Sequence, residues 1–140
     1  MSRVFWDTNL FIYLIEDFGE LSERVAQLRE RMLVRGDQLL TSTLTLGEVL
    51  TKPIEKGDEL LARHYEAALV RGAVLVTFDE AAGRRYARIR ADRTVRPPDA
   101  IQLACAAEAR SDLFITNDDR LSQKVVDGIQ FLVSLDRAFL

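Results

Sequence analysis

Cysteine and histidine are scarce in this chain of 140 residues, and each scarcity closes a route to function. The single cysteine, Cys105, has no partner for an internal disulfide and cannot build a thiolate zinc site. It lies in the small-residue stretch Ala104-Cys105-Ala106-Ala107, where a buried packing role is expected. The single histidine, His64, sits in polar, helix-like Arg63-His64-Tyr65-Glu66, so neither a metal-binding nor an acid–base pair of histidines is available. A Ser–His–Asp triad has no Gly-x-Ser-x-Gly turn to support it. No apolar run is long enough to span a bilayer, and Met1-Ser2-Arg3 leads straight into a strand-like segment without a signal-peptide pattern. A soluble, cytoplasmic protein is expected.

What remains is ordinary globular composition, with 48% hydrophobic and 29% charged residues. The length suits one domain over residues 1–140 with its own core. A net charge of −3 argues against a protein that coats nucleic acid by overall charge, but leaves room for a locally basic surface beside a carboxylate cluster. Of 19 basic residues only three are lysines, and the arginines crowd into one segment.

Apolar runs and helical periodicity alternate along the chain. Val4-Phe5-Trp6, Leu39–Ser42, Val74–Phe78, Leu113–Thr116 and Ile129–Val133 read as strands. Helices are predicted over Leu10–Ile15, from Ser22 to a stop near Gly36, over Leu44–Thr51 with Lys52-Pro53 ending it, and over Glu59–Leu69. Others follow over Glu80–Arg90 after an Asp79 N-cap, over Asp99–Ala109 after Pro97-Pro98, and as a short piece over Arg120–Val126. Such alternation predicts an α/β fold with three layers and a central parallel sheet of four to five strands, covered on both faces.

Four acidic residues stand at junctions between these elements: Asp7, Glu48, Asp99 and Asp118. Each has an ordinary reading. Asp7 and Asp118 suit turns after strands, Asp99 suits a helix N-terminus, and Thr45-Leu46-Gly47-Glu48 matches a capping box. Together they ask for more, because sites in open α/β sheets form beyond the carboxyl ends of the strands, where all four are expected. Uncompensated carboxylates gathered in a cleft are costly, and hard divalent cations that prefer oxygen ligands are the usual compensation. The chemistry this suggests is phosphodiester hydrolysis by metal-activated water, which leaves a 5′-phosphate and a 3′-hydroxyl.

With these motifs in order, the chain resembles a PIN domain, specifically the toxin ribonucleases of the VapC type. The resemblance rests on Val4-Phe5-Trp6-Asp7-Thr8-Asn9, Thr45-Leu46-Gly47-Glu48-Val49-Leu50, Pro98-Asp99-Ala100-Ile101-Gln102-Leu103-Ala104 and Leu113-Phe114-Ile115-Thr116-Asn117-Asp118. It implies that Asp7, Glu48, Asp99 and Asp118 bind Mg²⁺ or Mn²⁺ and cleave RNA. It also implies that Thr116 and Asn9 support the cluster, with Asp119 an optional addition. A homodimer and a small cognate antitoxin are implied as partners, with the apolar stripe of the Ser22–Arg35 helix either an interface or simply core-facing.

The basic segment Arg84, Arg85, Arg88, Arg90, Arg93 and Arg96 has three readings: a guide for RNA, a receiver for an acidic inhibitor segment, or a solvated helix face. Rival classes are a receiver-like Mg²⁺-binding signalling domain and a housekeeping RNA-processing nuclease of the same fold. The receiver reading wants an adjacent acidic pair after the first strand and a lysine after a late one, and both are missing. A dehalogenase-type phosphatase would want an aspartate where Asn9 stands. A PIN-like binder that does not cut is disfavoured by the intact quartet.

Overall fold

A computed structural model describes residues 1–138. Five strands form one parallel sheet: β1 (Arg3–Trp6), β2 (Gln38–Ser42), β3 (Val74–Val76), β4 (Leu113–Thr116) and β5 (Phe131–Ser134), in the order β3-β2-β1-β4-β5. Six helices connect them: α1 (Thr8–Ile15), α2 (Glu20–Arg35), α3 (Thr43–Glu55), α4 (Glu59–Gly72), α5 (Glu80–Ile89) and α6 (Pro97–Glu108). The expected three-layer parallel architecture is what forms. The strand order differs from the 2-1-3-4-5 winding typical of receiver-like modules, which removes that rival on topology.

The pleat sorts the core. Val4 and Trp6 of β1, with Leu39, Leu113 and Ile115, point to one face and pack on Leu10 and Phe11 of α1, Val25, Leu28 and Met32 of α2, and Leu69 of α4. Phe5, Leu40 and Phe114 point to the other, against Ala82 of α5 and the buried side of α6. Phe5 and Phe114 stack with ring centroids 5.2 Å apart. The apolar stripe of α2 is therefore a core face, with Val25, Leu28 and Met32 buried and Leu33 exposed. Ala100, Ala104, Cys105, Ala106 and Ala107 are all fully buried, so α6 lies close to the sheet and to α5.

Several boundaries differ from expectation for identifiable reasons. Strand β3 stops at Val76 because its partner β2 ends at Ser42, and Thr77 instead offers its carbonyl to Asp79 N–H in the turn before α5. Ile129 closes a turn onto Val126, so β5 starts at Phe131, opposite Leu113. The helix expected over Arg120–Val126 reduces to one 3₁₀ turn, Leu121–Gln123, before Lys124 adopts extended backbone. Helix α3 runs through Pro53 to Glu55; the proline forfeits only its own N–H bond near the helix end. Gly128, at φ +95°, turns the chain into β5 where an added Cβ would lie 3.0 Å from Ala107. No helix among the described residues is long and apolar enough to cross a membrane.

Candidate functional site

The order in which strands are added reverses between β1 and β4: β2 and β3 lie to one side of β1, and β4 and β5 lie to the other. Such a switch point, beyond the carboxyl ends of the strands, is where open α/β sheets place a crevice. Asp7 leaves β1 directly into it, and Thr116 ends β4 beside it.

Asp7 is 7% exposed and serves as the N-cap of α1, its Oδ1 accepting from Thr8 N–H at 2.8 Å. Its Oδ2 accepts from Thr116 Oγ1 at 2.8 Å. That same hydroxyl accepts from Asp118 N–H at 3.1 Å and from Asn9 Nδ2 at 3.4 Å, so one buried threonine ties three expected site residues together. Burial pushes the Asp7 carboxyl up to about 6; the Thr116 and Thr8 hydrogen bonds oppose this, and the negative charges of Asp99 and Glu48 add to it.

Asp99 stands in the first turn of α6, whose residues Pro97 and Pro98 need no intrahelical donor there. Burial raises its carboxyl above the ordinary range, with Arg96 opposing and Asp118 adding to the shift. Arg96 lies between the two acids, its Nε 3.4 Å from Asp99 Oδ2 and its Nη2 3.5 Å from Asp118 Oδ2. Asp118 accepts from Arg120 N–H and Leu121 N–H through Oδ1, fixing the turn after β4. A cavity of about 480 Å³ opens here, lined by Arg96, Asp99, Asp118, Arg120 and Lys124 among others.

Glu48 lies in α3 and is exposed. The expected capping box does not form: Ser42 caps α3, accepting from Thr45 N–H at 3.4 Å. Glu48 Oε1 instead accepts from Thr8 Oγ1 at 2.7 Å, which aims it across to the start of α1. Asp119 is exposed, and its backbone carbonyl accepts from Ser122 Oγ. Among the described residues, no three acidic, histidine or cysteine side chains stand at the separations of an assembled metal centre. The donor set is nonetheless all oxygen, the ligand type a hard cation prefers, and burial, with neighbouring acids adding, raises the Asp7 and Asp99 carboxyls. In donor chemistry, though not in the separations they adopt here, the residues fit such an ion.

Sequence reasoning missed Thr8, Thr45, Gln102 and Asn117. Gln102, 2% exposed, donates from Nε2 to Thr8 Oγ1 and Thr45 Oγ1 and accepts from Ser42 Oγ. Asn117 donates to Tyr13 Oη at 2.9 Å, and its N–H donates to Asn9 Oδ1. A polar glutamine in the otherwise small and apolar run of α6 was the available signal. The arginine segment divides. Arg84 pairs with Glu80, Arg85 with Glu108 and the Asp127 carbonyl, and Arg90 with the Val95 carbonyl. The side chains of Arg88 and Arg93 are exposed and have no ion-pair or hydrogen-bond partner among the described residues.

Against known proteins, none of the curated sequences matches. Among solved structures, VapBC2 from Rickettsia felis bound to a promoter DNA fragment aligns with TM-score 0.75 at 12% identity, covering 94% of this chain and 97% of that one. DNA-bound VapBC from Salmonella typhimurium aligns at 0.63 and 24% identity, covering 96% and 99%. VapBC-5 from Mycobacterium tuberculosis, of the VapBC family of toxin–antitoxin systems, aligns at 0.62 and 19% identity, covering 95% and 99%. These likenesses establish the fold. The PIN domain model matches residues 4–126, a span that includes every carboxylate of the crevice, and the chain belongs to the PIN domain family.

Proposed function

We propose that this protein is a divalent-metal-dependent endoribonuclease and the toxin of a VapBC-type toxin–antitoxin pair. The observation that carries the reading is Asp7: a buried carboxylate at the strand end of a PIN domain, raised to about 6 by burial, with the charges of Asp99 and Glu48 adding. Asp7, Asp99, Asp118 and Glu48 would hold Mg²⁺ or Mn²⁺, with Thr116 and Asn9 supporting them. When bound, such an ion offsets phosphate charge and lowers the pKa of a coordinated water.

The chain's own residues supply the rest. Thr116 keeps Asp7 and the Asp118 backbone in register. The Asp118 turn holds one wall of the cavity, and Arg96 brings a guanidinium to its mouth, where a phosphate oxygen can be met by two donors. Arg88 and Arg93 offer charge that no internal partner consumes, which suits the approach of an anionic strand. Arg84 and Arg85 are committed to internal ion pairs and make the weaker RNA contacts. A small antitoxin, a homodimer and a cytoplasmic setting accompany this reading, which the toxin–antitoxin complexes among the structural neighbours support.

The test is cleavage of mixed cellular RNA by purified, inhibitor-free protein with Mg²⁺ or Mn²⁺, with chelator, and with Asp7→Asn. Discrete 5′-phosphorylated fragments that vanish with chelator and with Asp7→Asn are expected. A folded protein that leaves every RNA intact under all conditions would refute the assignment.

A further inference from the structure

Behind the crevice lies a buried polar network with no part in the core. Ser42 Oγ donates to Gln102 Oε1 at 2.6 Å, which turns the amide so that Nε2 faces Thr8 Oγ1 at 2.9 Å and Thr45 Oγ1 at 2.8 Å. Thr41 Oγ1 lies 2.8 Å from Thr45 Oγ1, and Thr45 lies 3.0 Å from Thr8. Thr41, Ser42 and Thr45 are fully buried.

Hydrogen counting gives this network a direction. A hydroxyl has one hydrogen, an amide nitrogen has two, and an ionised carboxylate has none. Both Gln102 Nε2 hydrogens are given to the two threonines. Glu48 can only accept, so the Thr8 hydrogen goes to Glu48 Oε1, while the Thr41 hydrogen has the Trp6 carbonyl as an acceptor at 2.9 Å, which leaves the single Thr45 hydrogen to be given to Thr8 or to Thr41. Donation therefore runs outward from Ser42 and Gln102, through Thr8, to Glu48. If the amide were reversed, an acceptor would face Thr8 and could draw its hydrogen inward, leaving Glu48 without a donor.

We infer that Gln102 is a positioning residue: it acts through Thr8 to hold the Glu48 carboxylate in place for metal binding. Glu48 is exposed on α3, and among the described residues the Thr8 hydroxyl gives the one hydrogen bond to its side chain, so its orientation depends on this chain of donors. The inference rests on the proposed metal site, with Glu48 as a ligand. Partners that orient a ligand typically change metal affinity by roughly 10–100-fold when removed.

The experiment is Mn²⁺ titration by calorimetry on wild type, Gln102→Met, Glu48→Ala and the double variant, with circular dichroism confirming the fold. Gln102→Met keeps side-chain length without the amide. About tenfold weaker Mn²⁺ binding is expected from Gln102→Met in the wild-type background, and no further loss in the Glu48→Ala background. Thr8→Val should reproduce the loss, and Thr8→Ser should restore wild-type affinity. An equal loss in both backgrounds would mean that Gln102 acts on Asp99, one turn away on α6, and would overturn the inference. So would unchanged affinity in folded Gln102→Met. Wild type that binds no Mn²⁺ would refute the metal-site reading itself and the inference with it.

Discussion

Replacing Asp7 by Asn should stabilise the metal-free protein while abolishing cleavage. Burial and neighbouring acids raise the Asp7 carboxyl from 3.8 to about 6. The unfolded chain releases that proton near pH 4, whereas the folded chain retains it up to about pH 6. Between those values the native state binds more protons than the unfolded one, so this group's contribution to stability falls as pH rises and is fully lost above pH 6. A shift of about two units corresponds to roughly 3 kcal/mol at pH 8. Asparagine removes that penalty but cannot accept from both Thr8 N–H and the Thr116 hydroxyl; losing one such bond costs about 1 kcal/mol. The net gain is about 1–2 kcal/mol, or roughly 4–8 °C in Tm for a chain this size. Thermal melts of both proteins in chelator at pH 4 and pH 8 read it directly. The gain should appear at pH 8, vanish or change sign at pH 4, and be offset at pH 8 by saturating Mn²⁺, which stabilises only the protein that binds it. An Asp7→Asn protein that melts below wild type at pH 8 in chelator would refute the reasoning.

Other expectations follow from neighbouring contacts. Arg96→Gln should tighten Mn²⁺ binding about two- to fivefold, because the exposed pairs a metal must displace are worth under about 1 kcal/mol; weaker binding by calorimetry would contradict this. Thr116→Val removes a hydroxyl that gives one hydrogen bond and accepts two, and should cost about 1–3 kcal/mol in denaturant melts, with Thr116→Ser close to wild type. Charge reversal at Arg88 and Arg93 should weaken RNA binding and flatten its salt dependence. Reversal at Arg84 should change both by less, as fluorescence anisotropy across a salt series would reveal.

The elements most legible in the sequence were those whose signals are local. Val4-Phe5-Trp6 and Leu113–Thr116 are apolar enough to be central strands and nothing else, and Pro97-Pro98 can only begin α6. Boundaries set by distant partners were not legible: the end of β3 is dictated by where Ser42 ends β2, and the start of β5 by Leu113. Asp7, Asp99, Asp118 and Glu48 stood out as candidates because carboxylates at element junctions suggested a shared cleft. Their geometry did not, because Glu48 faces Thr8 through a hydrogen bond spanning 40 positions in sequence. The arginine segment left three readings open for the same reason, since charge patterning cannot say that Arg85 meets Glu108.

The small side chains of α6 have a consequence for how the crevice fails. Ala100, Ala104 and Ala107 set the standoff between helix and sheet, and α6 carries both Asp99 and Gln102. The helix thus works as a gauge block: its thickness, measured in methyl groups, fixes how far those two polar side chains reach. Thickening it with Ala104→Leu would touch no charge and delete no hydrogen-bonding group. It would nonetheless lift the amide from Thr8 and one acid from the others, so the crevice can be disarmed from behind by a change that looks conservative.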